Sequence, residues 1–142
     1  MYYVNREQIE RRLQVLPDII EILKSASDQT DHLLLHRYAE ERALHLAIEV
    51  VTDVGSYLID GFIMRDASSY EDIVDIMLDE HVVPEDMGNL LIQLVRLRRP
   101  LVQEYFSWDK GGLESLMHVL PDALADFAHR IRVYLDQELS QS

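Results

Sequence analysis

Apolar residues recur at helical spacing along nearly the whole chain. Ile9, Leu13, Leu16, Ile20 and Leu23 follow one another at steps of three and four. Asn5 stands where a helix cap belongs, with Gln8 in the capping-box position. Pro17 interrupts the run and predicts either a kink or two shorter helices. After a polar connector from Ser25 to Thr30, a second helix is predicted from Asp31 to Asp60. Leu35, Ala39, Leu46, Val50, Val54 and Leu58 lie along one side of it, and Ala43 and Ala47 are small enough for close helix contact. At ~1.5 Å per residue this rod is about 45 Å long. Gly55 inside it predicts a close helix crossing.

Gly61 to Ala67 reads as a loop. Ser68-Ser69-Tyr70-Glu71 fits the S-x-x-E capping box and predicts the start of a short helix bearing Ile73, Val74, Ile76, Met77 and Leu78. His81 to Glu85 reads as a turn, with Pro84 in the first position of the next helix. That helix carries Met87, Leu90, Leu91, Leu94, Leu97, Leu101 and Val102, with Pro100 inside it. Lys110-Gly111-Gly112 breaks the pattern. A last helical region carries Leu113, Leu116, Leu120, Leu124, Phe127, Ile131 and Leu135, with Pro121 marking a joint. No alternating strand pattern of useful length occurs. The expected fold is an all-α antiparallel up-and-down bundle of about five helices, forming a single domain over residues 1–142.

Composition narrows the class. The 142 residues can bury roughly two thirds of their unfolded surface without staples. The absence of Cys excludes disulfides, thiolate zinc sites, iron–sulfur clusters and a cysteine nucleophile. No signal peptide opens the chain, and no run approaches the ~20 apolar residues of a membrane span. A cytoplasmic, soluble protein is expected, with no membrane partner. Thirteen basic against 26 acidic residues give a net charge of −13. A field of that sign opposes general phosphate-backbone binding, so any nucleic-acid contact needs a local basic patch.

Two clusters have metal-like spacing. His32, His36 and Glu40 share a helix stripe, but the paired Glu-x-x-His motifs of di-iron bundles are missing. Asp72, Asp75 and Asp79 also share a face, without an Asp-rich calcium loop. Both read as solvated polar faces, and neither a metal nor a cofactor is expected. His118 and His129 stand alone on the last helical region and read as structural or surface residues. No Ser–His–carboxylate motif or glycine-rich phosphate loop is present.

The informative stretch runs from Leu94 to Phe106. Arg96, Arg98 and Arg99 place three of the 13 basic residues within four positions. Such a patch suits phosphate, which accepts forked, charge-assisted hydrogen bonds, although it also suits pairing with this chain's own carboxylates. Pro100 removes a backbone donor and is expected to disturb the helix four residues back, near Arg96.

Arg98-Arg99-Pro100-Leu101-Val102-Gln103-Glu104-Tyr105 resembles the motif of the HepT-like branch of the HEPN superfamily, approximately R-N-x-L-V-H-x-Y. Arg98, Leu101, Val102 and Tyr105 match; Arg99 replaces the usual Asn, and Gln103 replaces the His. Glu41 to Glu49 and Asp53-Val54-Gly55 are similar to that family's long second helix. Phe62-Ile63-Met64-Arg65-Asp66 and the Leu-Val-Gln form of the motif look closest to the YutE-like branch. The resemblance covers nearly the whole chain.

It implies a small helical bundle that forms a homodimer, with the motif helices facing one another. It also implies metal-independent endoribonuclease toxins, partnered by a minimal nucleotidyltransferase antitoxin that can add nucleotide to the motif Tyr. Carried over by position, Arg98 contacts RNA phosphate; Arg96 and Arg99 join it as candidate phosphate contacts on the strength of the basic patch alone. Gln103 occupies the place of the base, and Tyr105 is the candidate nucleotide acceptor. The departure at Gln103 matters, because RNA cleavage without metal needs a group that exchanges protons near neutral pH. An amide hydrogen-bonds but does not. The expectation is a weakly active or inactive RNA- or nucleotide-binding member of a toxin–antitoxin-type system. Two alternatives stay open: a non-enzymatic helical interaction module, and an active toxin that takes its base from elsewhere.

Overall fold

A computed structural model describes residues 2–26, 33–109 and 111–140. Six α-helices follow in order: α1 (Arg6–Leu13), α2 (Leu16–Ala26), α3 (Leu33–Gly61), α4 (Tyr70–Asp79), α5 (Glu85–Arg96) and α6 (Glu114–Leu139). Among the described residues there is no strand. Since α1 and α2 are the two halves of one predicted region, the bundle has the five helical regions anticipated, and its class is all-α. The start of the second predicted helix at Asp31, His32 of the histidine stripe, and Lys110 lie outside the described residues.

Local chemistry explains the boundaries. The Asn5 side chain accepts from Gln8 N and caps α1, as its position predicts. Pro17 sits second in α2, where its missing N–H is harmless, and the chain turns between the two helices. Ser69, not Ser68, caps α4: its hydroxyl accepts from Asp72 N at 3.1 Å. The carboxylate returning the contact belongs to Asp72 rather than Glu71, and it accepts from both N and Oγ of Ser68. Two adjacent serines followed by two adjacent acids let the box slip by one residue. Pro84 stands at the N-cap position of α5, so the helix begins at Glu85, one residue later than predicted.

Pro121 does not form a joint. It is buried within α6, and the helix continues through it from Glu114 to Leu139. One proline costs a single backbone bond, and here its ring fills core space, which offsets part of that loss.

One apolar cluster draws on every helix, with Ile9, Leu16, Leu44, Ile48, Leu58, Met77, Leu91, Leu94, Leu120 and Phe127 almost wholly inaccessible. The predicted α3 stripe is buried at Val50, Val54 and Leu58, but Leu35 near its start is 68% exposed. Helix α2 packs against both α3 and α6, and α4 against both α3 and α5. Two glycines permit the latter. A Cβ on Gly55 would lie 2.3 Å from Ile73 Cγ2, and one on Gly88 would lie 2.2 Å from Leu78 Cδ2. Helix α4 is thus pressed onto α3 and α5 at once, which fixes where its first residues, Tyr70 and Glu71, stand. Ion pairs tie the outer helices, with Arg132 of α6 forked onto Glu10 of α1 at 2.7 and 3.0 Å.

Candidate functional site

The predicted continuation of α5 through Pro100 does not occur. Helix α5 ends at Arg96, and Leu97 N turns back to Leu94 O at 3.0 Å. Pro100 has no N–H to offer the Arg96 carbonyl, so the helical ladder fails at the predicted place. The chain then widens into a π turn, Arg99–Gln103, closed by Glu104 N donating to Arg99 O at 2.9 Å. A short 3-10 turn, Tyr105–Ser107, follows. The wide turn spreads Arg96, Arg98, Arg99 and Gln103 around one surface cleft of about 390 Å³, completed by Ser69, Tyr70, Glu71 and Val95.

Each arginine faces a carboxylate of this chain, in different ways. Arg96 Nε donates to Glu71 Oε1 at 2.9 Å, an exposed charge-assisted bond that raises the Arg96 pKa further above its already high ordinary value. Arg99 Nε lies 3.8 Å from Glu104 Oε2 and is largely exposed. Arg98 is the most enclosed of the three. Its Nε lies 3.7 Å from Glu49 Oε1 on α3, and its guanidinium carbon stands 4.2 Å from the centre of the Tyr70 ring. At 3.7 Å the ion pair is too long for a hydrogen bond, and Arg98 Nε is buried without a hydrogen-bond partner. An arginine has five donors and no acceptor, so this one is stacked and charge-anchored, with hydrogen-bonding capacity left at Nε.

The four arginine and glutamine positions singled out in the sequence therefore converge. Tyr105 does not join them. It does not line the cleft; it is 72% exposed on the 3-10 turn, its ring edge-on to Phe106 with centroids 5.8 Å apart. Sequence reasoning missed Tyr70, Glu71, Glu49 and His45. His45 Nε2 lies 3.7 Å from the same Glu49 Oε1 that faces Arg98, and its Nδ1 lies 3.4 Å from Arg42 Nη1. The i, i+4 spacing of His45 and Glu49 was a usable signal; their proximity to Arg98 was not, because it joins distant parts of the chain.

Two of the three aspartates on the acidic face of α4 are paired within the chain. Arg65 forks onto Asp72 at 2.8 Å through both terminal nitrogens and also faces Asp79 at 3.7 Å. The Arg65 fork, with the Ser68 N–H, holds the Asp72 carboxyl well below the usual carboxylate range. Among the described residues no group of three His, Asp or Glu side chains could hold a metal ion. No helix of the described residues is long and apolar enough to cross a membrane.

Comparison with known proteins bears on the family and the fold. The family model described as Ribonuclease HepT-like matches residues 7–131. YutE of Bacillus subtilis (strain 168), whose name marks it as a candidate RNase, is 42% identical over 139 residues, which is 98% of this chain and 95% of that protein. The solved structure of YutE, described as a cytosolic protein, superposes with a TM-score of 0.86 at 44% identity, covering 98% of this chain and 96% of that one. A Shewanella oneidensis HEPN toxin, tri-AMPylated and in complex with its MNT antitoxin, superposes at 0.74 with 14% identity, covering 88% and 96%. The second likeness speaks for the fold. Family model, relative and fold agree, and the chain belongs to the ribonuclease HepT-like family.

Proposed function

We propose that this protein binds RNA through a phosphate seated on Arg98, as one half of a toxin–antitoxin-type pair, with little cleavage from the motif itself. The carrying observation is Arg98 in the cleft: stacked on Tyr70, anchored at long range by Glu49, with a buried donor atom that has no partner. Phosphate oxygens at 2.7–2.9 Å from a guanidinium make bonds roughly twice as strong as neutral ones, and they outcompete a carboxylate standing at 3.7 Å. Arg96 and Arg99 on the rim add local positive charge that the chain's overall −13 otherwise denies.

Gln103 lines the cleft where a proton-transferring group is wanted. Its amide can orient a phosphate or a 2′-hydroxyl but cannot take the proton. Loss of general acid–base help typically removes about a hundred- to ten-thousand-fold in rate. The 72% exposure of Tyr105 supports its role as the acceptor of nucleotide from a minimal nucleotidyltransferase antitoxin. Residues 1–142 act in this reading as a single unit, a homodimer in the cytosol.

The test is binding of single-stranded RNA, followed by cleavage, for wild type, Arg98→Ala and Gln103→His. The reading expects binding lost with Arg98→Ala and cleavage gained with Gln103→His. One observation favours a second reading, in which apolar helix faces bind a partner protein and the arginines only form salt bridges: each faces a carboxylate of its own chain. That reading expects charge reversal at Arg98 and Arg99 to leave RNA behaviour unchanged.

A further inference from the structure

Four side chains stand in a row along α3 and onto the cleft: Arg42, His45, Glu49 and Arg98. Arg42 Nη1 lies 3.4 Å from His45 Nδ1, His45 Nε2 lies 3.7 Å from Glu49 Oε1, and Arg98 Nε lies 3.7 Å from that same oxygen. His45 and Arg98 are therefore neighbours across one carboxylate. The proton arrangement follows from donor chemistry. A guanidinium only donates, so the neutral imidazole must accept at Nδ1 and carry its hydrogen at Nε2, toward Glu49. The Arg42 contact at Nδ1 is what places the hydrogen on Nε2, and Glu49, 3.7 Å from Nε2, faces that side of the ring as a nearby charge rather than a hydrogen-bond partner.

We propose that His45 is the proton acceptor for RNA cleavage in this chain, the role that Gln103 cannot fill. The proposal rests on the RNA reading above. Glu49 links the two, 3.7 Å from Arg98 Nε on one side and 3.7 Å from His45 Nε2 on the other, so a phosphate seated on Arg98 is one side chain removed from His45. Arg42 is exposed and only 3.4 Å from Nδ1, a long contact that a phosphate oxygen readily displaces. With Arg42 drawn to the phosphate, the His45 Nδ1 lone pair is free.

The step balances without metal or cofactor. The 2′-oxygen attacks the adjacent phosphorus as its proton passes to His45 Nδ1. The bond from phosphorus to the 5′-oxygen breaks, and that oxygen takes a proton from water. The products are a 2′,3′-cyclic phosphate and a 5′-hydroxyl, and the imidazolium returns its proton to solvent. Arg42 and Arg98 stabilise the charge that builds on the phosphate, and Glu49 is a positioning residue that offsets the charge of the imidazolium.

The experiment uses the full chain and an end-labelled single-stranded RNA of mixed sequence, with a 2′-deoxy oligonucleotide as control. Binding and cleavage are measured separately for wild type, His45→Ala, His45→Gln and Arg98→Ala, each checked for helix content. The proposal expects slow cleavage to cyclic phosphate ends by wild type and none of the deoxy strand. His45→Ala and His45→Gln should lose about a hundredfold or more in rate with RNA affinity unchanged. Free imidazole in the buffer should restore His45→Ala in part, which a merely structural role would not allow. Equal cleavage by wild type and both His45 variants overturns the proposal and leaves the Arg98 reading standing. RNA binding without cleavage by wild type does the same. Failure of wild type to bind RNA at all overturns both.

Discussion

Replacing Gly55 by Ala sets two opposed effects against each other at the contact that positions the site. In a helix interior the change is favourable by propensity, by about 1 kcal/mol. Against it stands Ile73. The new Cβ would lie 2.3 Å from Ile73 Cγ2 and 3.2 Å from Met77 Cε. Met77 can yield, because its contacting atom ends a flexible chain. The Ile73 methyl cannot swing freely, because a β-branched side chain in a helix is held near one χ1 rotamer. Helix α4 must then retreat by about 1 Å or more to regain the ~3.5–4.0 Å separation of carbon pairs. Overpacking of this kind typically costs about 1–3 kcal/mol, so the net change is a loss of about 0–2 kcal/mol. At roughly 2–4 °C per kcal/mol for a chain of this size, the melting midpoint should fall by a few degrees.

The same displacement carries a functional signature. Ile73 lies one helical turn beyond Tyr70, whose ring backs Arg98 at 4.2 Å. RNA affinity should weaken along with stability, and Gly55→Val should do both more strongly. Thermal unfolding followed by circular dichroism, with RNA titration of the same samples, decides the matter. A Gly55→Ala protein that melts higher than wild type and binds RNA equally well would refute the claim that α4 is pressed onto α3 to set the site.

Tyr70→Ala should weaken RNA binding about two- to fivefold in a fluorescence titration, the equivalent of one exposed cation–π contact of about 0.5–1 kcal/mol. Asp72 has a depressed folded-state pKa, so its contribution is present above the ordinary carboxylate value of 3.8 and lost as pH falls below it. The gap in melting midpoint between wild type and Asp72→Asn should accordingly be open near neutral pH and close on acidification. Burial, with Glu138 and Glu80 adding to it, pushes the Tyr134 phenol up from 10.0 to about 12. Stability should therefore decline as pH rises from 10.0 toward about 12, and Tyr134→Phe should remove that part of the decline in unfolding curves. Gln103→His should raise the rate of RNA cleavage above that of wild type by adding a second proton-transferring group, as measured by release of cyclic phosphate ends.

The helices are legible in the sequence because their apolar residues repeat at one period, and because Asn5 and Pro17 act locally. Both need only neighbours within four residues. The cap of α4 falls one position from the expected one because Ser68-Ser69 and Glu71-Asp72 offer two registers, and the choice falls to Arg65, whose fork selects Asp72. Pro121 reads as a break because its cost is local, whereas what keeps it in the helix is burial against distant residues. At the site, the failure of the helix near Arg96 follows from Pro100 alone. The π turn that spreads the arginines does not, because the missing bond says where the ladder stops and not how the chain continues. Glu49, His45 and Tyr70 join the site only through packing of α3 and α4, which no local pattern encodes.

The central claim is that Arg98 seats an RNA phosphate. Its most direct test is a fluorescence anisotropy titration of single-stranded RNA with wild type and Arg98→Ala, repeated at several salt concentrations. A charge-assisted bond of about 1.5–3 kcal/mol predicts an affinity at least tenfold weaker for Arg98→Ala. It also predicts a shallower salt dependence, by about 0.7 for each phosphate of a single strand that is no longer neutralised. Equal affinity and equal salt slope for the two proteins would contradict the account.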